Sequence, residues 1–195
     1  MGQSLDQHLS NFSNTISDHI KNNHDICVVT HIDCDGLTSG AIITKALIRA
    51  GAKVTVRTTK EMNQSVIKNM QSDSRDFHIV TDLGGGFAKQ MDESLGKNWF
   101  ILDHHEIPEG EHDNESVINA WKYGINGGNE ICAGGMAFLA AKALDRKNAD
   151  LAPVAVVSAL GDRQDQGEKK SFTPVPCILK LSRIIRVIVQ NAACP

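Results

Sequence analysis

The sequence predicts an α/β fold, doubly wound, with a mostly parallel sheet of about five strands and helices on both faces. Short β-branched runs alternate with longer segments of helical periodicity, and the connections between them are short. The length of 195 residues is enough for one ordinary domain with its own core, and marginal for two.

The alternation of helix and strand signals runs from the N-terminus to residue 160. A stripe of apolar residues at helical spacing, including Leu5, Leu9 and Phe12, predicts a first helix over residues 4–22. Patterns typical of buried strands follow at 26–30, 53–57, 77–81, 99–102 and 117–119. Helical patterns occupy 37–50, 61–70, 87–95, 132–145 and 151–160.

Residues 1–170 are expected to form the main domain, and residues 171–195 form an atypical apolar and basic tail. From Ser171 onward the sequence has no acidic residue, and two prolines precede a dense apolar run that carries three basic residues. The tail is compatible with a terminal strand or helix packed on the domain. It is equally compatible with a chain that is cut short or altered after Phe172, so that a downstream domain is missing.

Composition excludes several classes of protein. The formal net charge is −3, so the chain is not uniformly basic, although a site built from carboxylates and cations would carry its positive charge in the metals. Five cysteines without a CxxC pair indicate reduced thiols. A polar N-terminus and the lack of a long apolar run indicate a cytoplasmic protein that does not enter a membrane.

Acidic and histidine residues cluster at the ends of the predicted strands. The strings HIDCDG, TDLGGG and DHH each follow a strand, and Gly161-Asp162-Arg163 follows the last helix. Loops at the carboxyl ends of parallel strands form one crevice. The fold therefore brings one set of side chains together, namely His31, Asp33, Asp35, Asp82, Asp103, His104 and His105.

So many carboxylates would repel one another unless cations neutralised them. Carboxylates with imidazoles suit manganese or magnesium, and the histidines favour manganese. The ligands suffice for two ions about 3.5–4 Å apart, an arrangement typical of phosphate-ester hydrolysis by a hydroxide that bridges the ions. Each string alone is also compatible with ordinary turn chemistry. Gly84, Gly85 and Gly86 are compatible with a helix cap or with a nest of backbone N–H groups for a substrate phosphate.

Other residues with possible chemistry are assigned none. We expect polar surroundings or solvent exposure for His8, His19, His24, His78 and His112. Trp99 is expected in the core. For Trp121 and Tyr123, packing is favoured over the stacking of a base.

The four strings occur in the order HIDCDG, TDLGGG, LDHHE and ALGDRQD, and together they resemble the DHH phosphoesterase superfamily, named after the Asp103-His104-His105 string. The segment CAGGMAFLAAKAL is similar to the family's small-residue helix, and the resemblance covers roughly residues 25 to 168. The spacing His-x-Asp-x-Asp, followed by Gly-Leu-Thr-Ser, resembles the RecJ-like branch in its archaeal form. In family II pyrophosphatases and nano-RNases the corresponding string resembles His-x-x-x-Asp-x-Asp instead.

This resemblance implies a catalytic DHH domain that acts as an exonuclease from the 5′ end of single-stranded DNA or RNA. The implied metal ligands are His31, Asp33, Asp35, Asp82, His104 and Asp162. Asp82 would bridge the two ions, and Asp103 would bind metal or orient a neighbouring histidine. His105 would contact the scissile phosphate or protonate the leaving group. Arg163 would hold a phosphate oxygen or form a surface salt bridge.

RecJ-like enzymes carry a second domain, with a Gly-Gly-His-type motif, that clamps the nucleic acid, and nothing in this sequence corresponds to it. The expected partners are single-stranded nucleic acid and replication or repair proteins. Without the clamp, metal binding should survive, while long single strands should bind weakly and with strong salt dependence. Two alternatives stay open: a non-catalytic component of a replication or repair complex, and a small-molecule phosphodiesterase or pyrophosphatase.

Overall fold

A computed structural model describes residues 4–108 and 114–165 of the chain. The strands of this part are β1 (Asp25–His31), β2 (Lys53–Thr59), β3 (Phe77–Thr81), β4 (Trp99–Asp103) and β5 (Val117–Asn119). They form one sheet in the order β2-β1-β3-β4-β5, and every neighbouring pair is parallel. The predicted parallel sheet of about five strands is confirmed.

The helices of the described residues are α1 (Leu5–Lys21), α2 (Cys34–Arg49), α3 (Gln64–Ser72), α4 (Ala88–Leu95), α5 (Ala133–Leu144) and α6 (Ala152–Gly161). Short 3-10 turns cover Gly85–Phe87, Ala120–Tyr123 and Arg146–Leu151. Helix α2 begins three residues earlier than the periodicity predicts, because the Asp33 carboxylate caps it by accepting from the backbone N of Gly36 at 2.8 Å. Asp35 therefore lies in the first turn of a helix and not in a loop.

Helices cover both faces of the sheet. Ile26 and Val28 of β1 point into a core shared with α1, α2, α5 and α6. Cys27 and Val29, one residue out of phase, point into a second core with α3 and α4. Because both faces are covered, the strands read as continuous apolar runs rather than alternating ones.

The strand order creates a crevice between β1 and β3. The chain leaves β1 through α2 on one face of the sheet and leaves β3 through α4 on the other face. Loops that diverge in this way open a gap at the carboxyl ends of the two strands, where ligands bind in open α/β sheets. The strand order thus predicts where the site lies, and His31 and Asp82 flank this gap.

Two predictions for histidines are wrong. His8 and His78 are buried, because α1 packs on the sheet and β3 is covered on both faces. The Nδ1 atom of His8 lies 2.6 Å from the hydroxyl of Tyr123, which gives Tyr123 the expected packing role. Trp99 lies in the core as predicted. His112 and the tail of residues 171–195 lie outside the described residues.

Across residues 4–108 and 114–165, no helix combines the length and apolar character needed to cross a bilayer.

Candidate metal centre

A first cluster of side chains lies at the end of β1. The Nδ1 atom of His31 is 2.8 Å from Asp33 Oδ2 and 3.5 Å from Asp82 Oδ2. One nitrogen or oxygen atom of each of these residues lies within 4.8 Å of the others, so one cation can contact all of them. His31 is held in place because its Nε2 atom lies 3.1 Å from the carbonyl oxygen of Lys60.

A second cluster lies beside the first, formed by Asp35, His104 and Asp162, and again the ligand atoms lie within 4.8 Å of one another. The Nε2 atom of His104 is 3.4 Å from Asp35 Oδ2 and 3.3 Å from Asp82 Oδ1. Asp82 therefore turns one oxygen toward each cluster. A carboxylate placed in this way can bridge two cations.

Asp82 follows β3 with φ 67°, in the left-handed region that Asp and Asn adopt more readily than most residues. Its backbone N donates to the Leu102 carbonyl at 3.0 Å, which anchors the loop to β4. Burial raises the pKa of Asp82 to about 7, against the lowering effect of His104 and with further repulsion from Asp35 and Asp33. A cation bound beside Asp82 would stabilise the ionised form of this buried carboxylate.

Three helices meet at Asp35. Its carboxylate accepts from the backbone N atoms of Ala133 and Gly134, at the start of α5, at 2.8 and 2.9 Å. Ser158 of α6 donates its hydroxyl to the same group. Gly134 has no room for a side chain, because a Cβ atom there would overlap the Ser158 hydroxyl oxygen. These contacts orient Asp35 before any ligand arrives.

His104 is oriented by the loop that contains Gly127. Its Nδ1 atom lies 2.8 Å from the Gly127 carbonyl oxygen, which can only accept, so Nδ1 carries a proton and Nε2 faces the centre. The same carbonyl accepts from Gln164 Nε2, which also donates to Asp162 Oδ2 at 2.9 Å. Burial alone lowers the pKa of His104, but the nearby Asp82 carboxylate and the hydrogen bond to Gly127 raise it to about 10 in the metal-free chain.

Two buried atoms at the centre have no hydrogen-bond partner within the described part of the chain, and these are Asp82 Oδ2 and His104 Nε2. Buried polar atoms are rarely left in this state. Both are good donors to a divalent cation, and carboxylates with imidazoles suit manganese or magnesium. The residues present therefore fit the cations that the sequence predicts.

Asp103 is engaged on both oxygens by the protein itself. Oδ1 accepts from the backbone N of His104 and from Nδ1 of His105, both at 2.8 Å, and Oδ2 accepts from the backbone N of Gly85 at 3.0 Å. This geometry favours an orienting role over direct ligation, although Asp103 also lies within 4.8 Å of Asp82 and both histidines. His105 leaves 59% of its side chain exposed at the edge of the centre.

The glycines after Asp82 line a cavity of about 270 Å³ together with His31, His105, Lys60 and Phe87. Gly84 has φ 97°, which favours glycine. The N–H of Gly85 is directed to Asp103 and is therefore not available to a phosphate in this arrangement, which removes one donor from the predicted nest. Arg163 follows Asp162, is exposed, and has φ 57°.

Several residues that shape the centre were not identified from the sequence. Gly127, Ser158 and Gln164 act on the candidate ligands by hydrogen bonds, and Trp121 donates its indole N–H to the His104 carbonyl at 2.8 Å. Gln164 stands two residues after Asp162 in ALGDRQD, so its place in the motif was the available signal. Ser158 has no signal of this kind, because only packing brings α6 to Asp35.

Comparison with known proteins identifies relatives that are longer than this chain. An uncharacterized protein of Methanocaldococcus jannaschii is 32% identical over 147 residues, which cover 71% of this chain and 33% of the relative. The fold matches the crystal structure of exonuclease RecJ bound to manganese with a TM-score of 0.72 and 20% identity, covering 94% of this chain and 46% of that chain. RecJ from Thermus thermophilus, in complex with Mn²⁺, matches with a TM-score of 0.70 and 19% identity, covering 95% and 26%.

This chain therefore spans less than half the length of these relatives. At such identities the two RecJ structures show a common fold. The family itself is shown by the sequence: residues 25–161 match the DHH family, N-terminal domain. That match covers well over half of the chain and contains the ends of β1, β3 and β4 where the candidate ligands lie. The chain belongs to the DHH family.

Proposed function

We propose that this chain hydrolyses phosphodiester bonds with two bound divalent cations, manganese in the first place and magnesium as a substitute. The observation that carries the proposal is the placement of Asp82, whose two oxygens face two adjacent clusters of ligand-type atoms. Enzymes commonly use two cations held in this way to displace a leaving group from a phosphoryl centre.

Each proposed cation has its own set of ligands. His31, Asp33 and Asp82 would hold one cation, while the other would be held by Asp35, Asp82, His104 and Asp162. When bound, the cations would lower the pKa of a coordinated water and stabilise negative charge on the phosphoryl oxygens. The chain's own contribution is to fix the ligands: Gly127 sets the ring of His104, and two backbone N–H groups of α5 orient Asp35.

His105 is proposed to contact the scissile phosphate or to protonate the leaving oxygen. Its Nδ1 atom is held 2.8 Å from Asp103, and this hydrogen bond raises the pKa of His105 above its ordinary value, although burial opposes the shift. A raised pKa favours the protonated imidazole, which is the form that a general acid requires. The ring is exposed on the side of the cavity that Lys60 also lines, so a substrate can reach it.

The proposed substrate is single-stranded DNA or RNA, cut from the 5′ end. Family membership and the common fold with RecJ, an exonuclease, support this choice. The cavity of about 270 Å³ beside the centre is small. We therefore expect slow cleavage that favours short substrates. Replication or repair proteins are proposed partners that would add contacts to long strands.

A parallel assay tests this function. Single-stranded DNA and RNA labelled at the 5′ end, dinucleotides and pyrophosphate are each incubated with the chain and manganese. The proposal predicts labelled mononucleotide from the oligonucleotides, no product with chelator, and loss of product in Asp82→Asn. His105→Gln should bind manganese normally and lose most activity, whereas His24→Gln, at the opposite end of β1, should retain it. Hydrolysis of pyrophosphate alone, or activity unchanged in Asp82→Asn, would contradict the proposal.

A further inference from the structure

A second group of ligand-type side chains lies at the other end of the sheet from the metal centre. Cys27 of β1 and His78 of β3 are paired neighbours in the parallel register, near the start of both strands. Asp73 directly follows α3, the helix packed over this face, and is its C-cap residue. One ligand atom from each of these residues lies within 4.8 Å of the others.

The group is closed to solvent. Cys27 is 0% exposed, His78 is 2% exposed, and the Asp73 side chain is 6% exposed. The Nε2 atom of His78 is buried and has no hydrogen-bond partner among the described residues. Leaving such an atom without a partner is unfavourable, so it calls for a compensating contact.

The surrounding charges are balanced without a metal. Arg57 Nη2 lies 3.0 Å from Asp73 Oδ2, and Arg75 Nε lies 3.5 Å from Asp73 Oδ1. Arg75 also contacts Asp25, with 3.3 Å between Nη1 and Oδ2. The two arginines orient the Asp73 carboxylate, and each of its oxygens has a second lone pair for another partner.

We propose that Cys27, Asp73 and His78 bind one zinc-type divalent cation, which joins the end of α3 to β1 and β3. A thiolate, an imidazole and a carboxylate are ligands that zinc takes in proteins. Burial raises the pKa of the Cys27 thiol in the metal-free chain. Binding releases the thiol proton to solvent as the sulfur–metal bond forms, so affinity rises with pH.

This site is independent of the proposed hydrolysis, because it shares no residue with the metal centre. Its ligands also differ: the two proposed sets at the centre contain only oxygen and nitrogen donors. A thiolate ligand gives cobalt, the spectroscopic substitute for zinc, an intense near-ultraviolet charge-transfer absorption. The probe therefore separates the two sites.

The test is a cobalt titration of the full chain in the Asp82→Asn background, followed by zinc. We expect one equivalent of cobalt with a thiolate band that zinc displaces. Cys27→Ser should abolish the band, and the matched control Cys34→Ser, an exposed cysteine beside the metal centre, should retain it. His78→Gln should weaken cobalt binding by at least about ten-fold.

Circular dichroism establishes that each variant is folded. If Cys27→Ser does not fold, the parent and His78→Gln titrations decide. A parent chain without a thiolate band, a band that persists in Cys27→Ser, or equal affinity in His78→Gln would each overturn the proposal. If Asp82→Asn loses hydrolysis but keeps the thiolate band, the result supports a Cys27 site that is separate from the metal centre.

Discussion

Replacing Asp82 by asparagine should stabilise the metal-free chain and abolish its stabilisation by manganese. Asparagine has the same shape, adopts φ 67° as readily as aspartate, and resembles the protonated carboxyl group. The backbone of the loop after β3 is therefore left as it is. What the substitution removes is a buried negative charge that lies close to Asp35 and Asp33.

The magnitude follows from the pKa. Burial raises the pKa of Asp82 to about 7, above the value in an unfolded chain. The protonated group therefore contributes stability that is complete below the unfolded pKa and is lost as the pH rises through about 7. A shift of about three units corresponds to at most about 4 kcal/mol at pH 8. This figure already includes the attraction of His104, which opposes the shift.

Urea unfolding in chelator at pH 5 and pH 8 measures the effect. The parent should lose stability between the two values, and Asp82→Asn should be the more stable chain at pH 8. Saturating manganese should then stabilise the parent, by about 2.7 kcal/mol at one hundred times its dissociation constant, and leave the variant almost unchanged.

Asp103→Asn is the matched control, because it should change the free energy of unfolding in the opposite direction. Although burial opposes it, hydrogen bonding and attraction from His105 hold the pKa of Asp103 below its ordinary value. Its stabilisation is present above the unfolded pKa and lost only at lower pH, so at pH 8 the substitution should destabilise by about 1–3 kcal/mol. The reasoning is refuted if Asp82→Asn destabilises the metal-free chain at pH 8, or if manganese stabilises it as it does the parent.

Three further predictions concern the surroundings of the centre and the core. Gly127→Ala should lower manganese affinity and the melting temperature, because a Cβ atom there would overlap the His104 carbonyl oxygen. Gly128→Ala is the control: its Cβ atom would lie 3.3 Å from the nearest neighbouring atom, so the same calorimetric titration should show little change. Gln164→Leu removes both hydrogen bonds of the side-chain amide and should weaken manganese binding by about 10–100-fold with little change in circular dichroism; unchanged affinity would argue against a positioning role. Phe12→Ala should cost about 3–5 kcal/mol in urea unfolding, since the ring is buried against the sheet; a loss below about 1 kcal/mol would contradict this packing.

The order and kind of the elements could be predicted because they depend on local pattern. The strands β3 and β5 begin and end at the predicted residues, 77–81 and 117–119. The start of α2 was placed three residues late, since a capping aspartate leaves no mark in apolar periodicity. His78 was misjudged for a related reason: a polar residue in a strand covered on both faces is buried regardless of its own hydropathy.

The candidate site, like the fold, has features that the sequence predicts and features that only the tertiary structure shows. Parallel strands carry their carboxyl ends to one edge, so the sequence alone was enough to gather His31, Asp82 and His104 into one crevice. Which oxygen of Asp82 faces which cluster, and which residues orient the ligands, depends on contacts between distant parts of the chain. Asp35 is held by the backbone of Ala133, 98 residues away.

The sequence by itself therefore determined the fold class, the edge of the sheet where the candidate site lies, and the chemical types of its candidate ligands. These follow from periodicity and from the residues placed directly after each strand. The tertiary structure alone decided that Asp82 serves two clusters, that Asp103 orients His105, and that Cys27 and His78 meet in the opposite core. The physical reason is that such contacts are set by the packing of α3, α5 and α6 on the sheet, and packing depends on residues far apart in the chain.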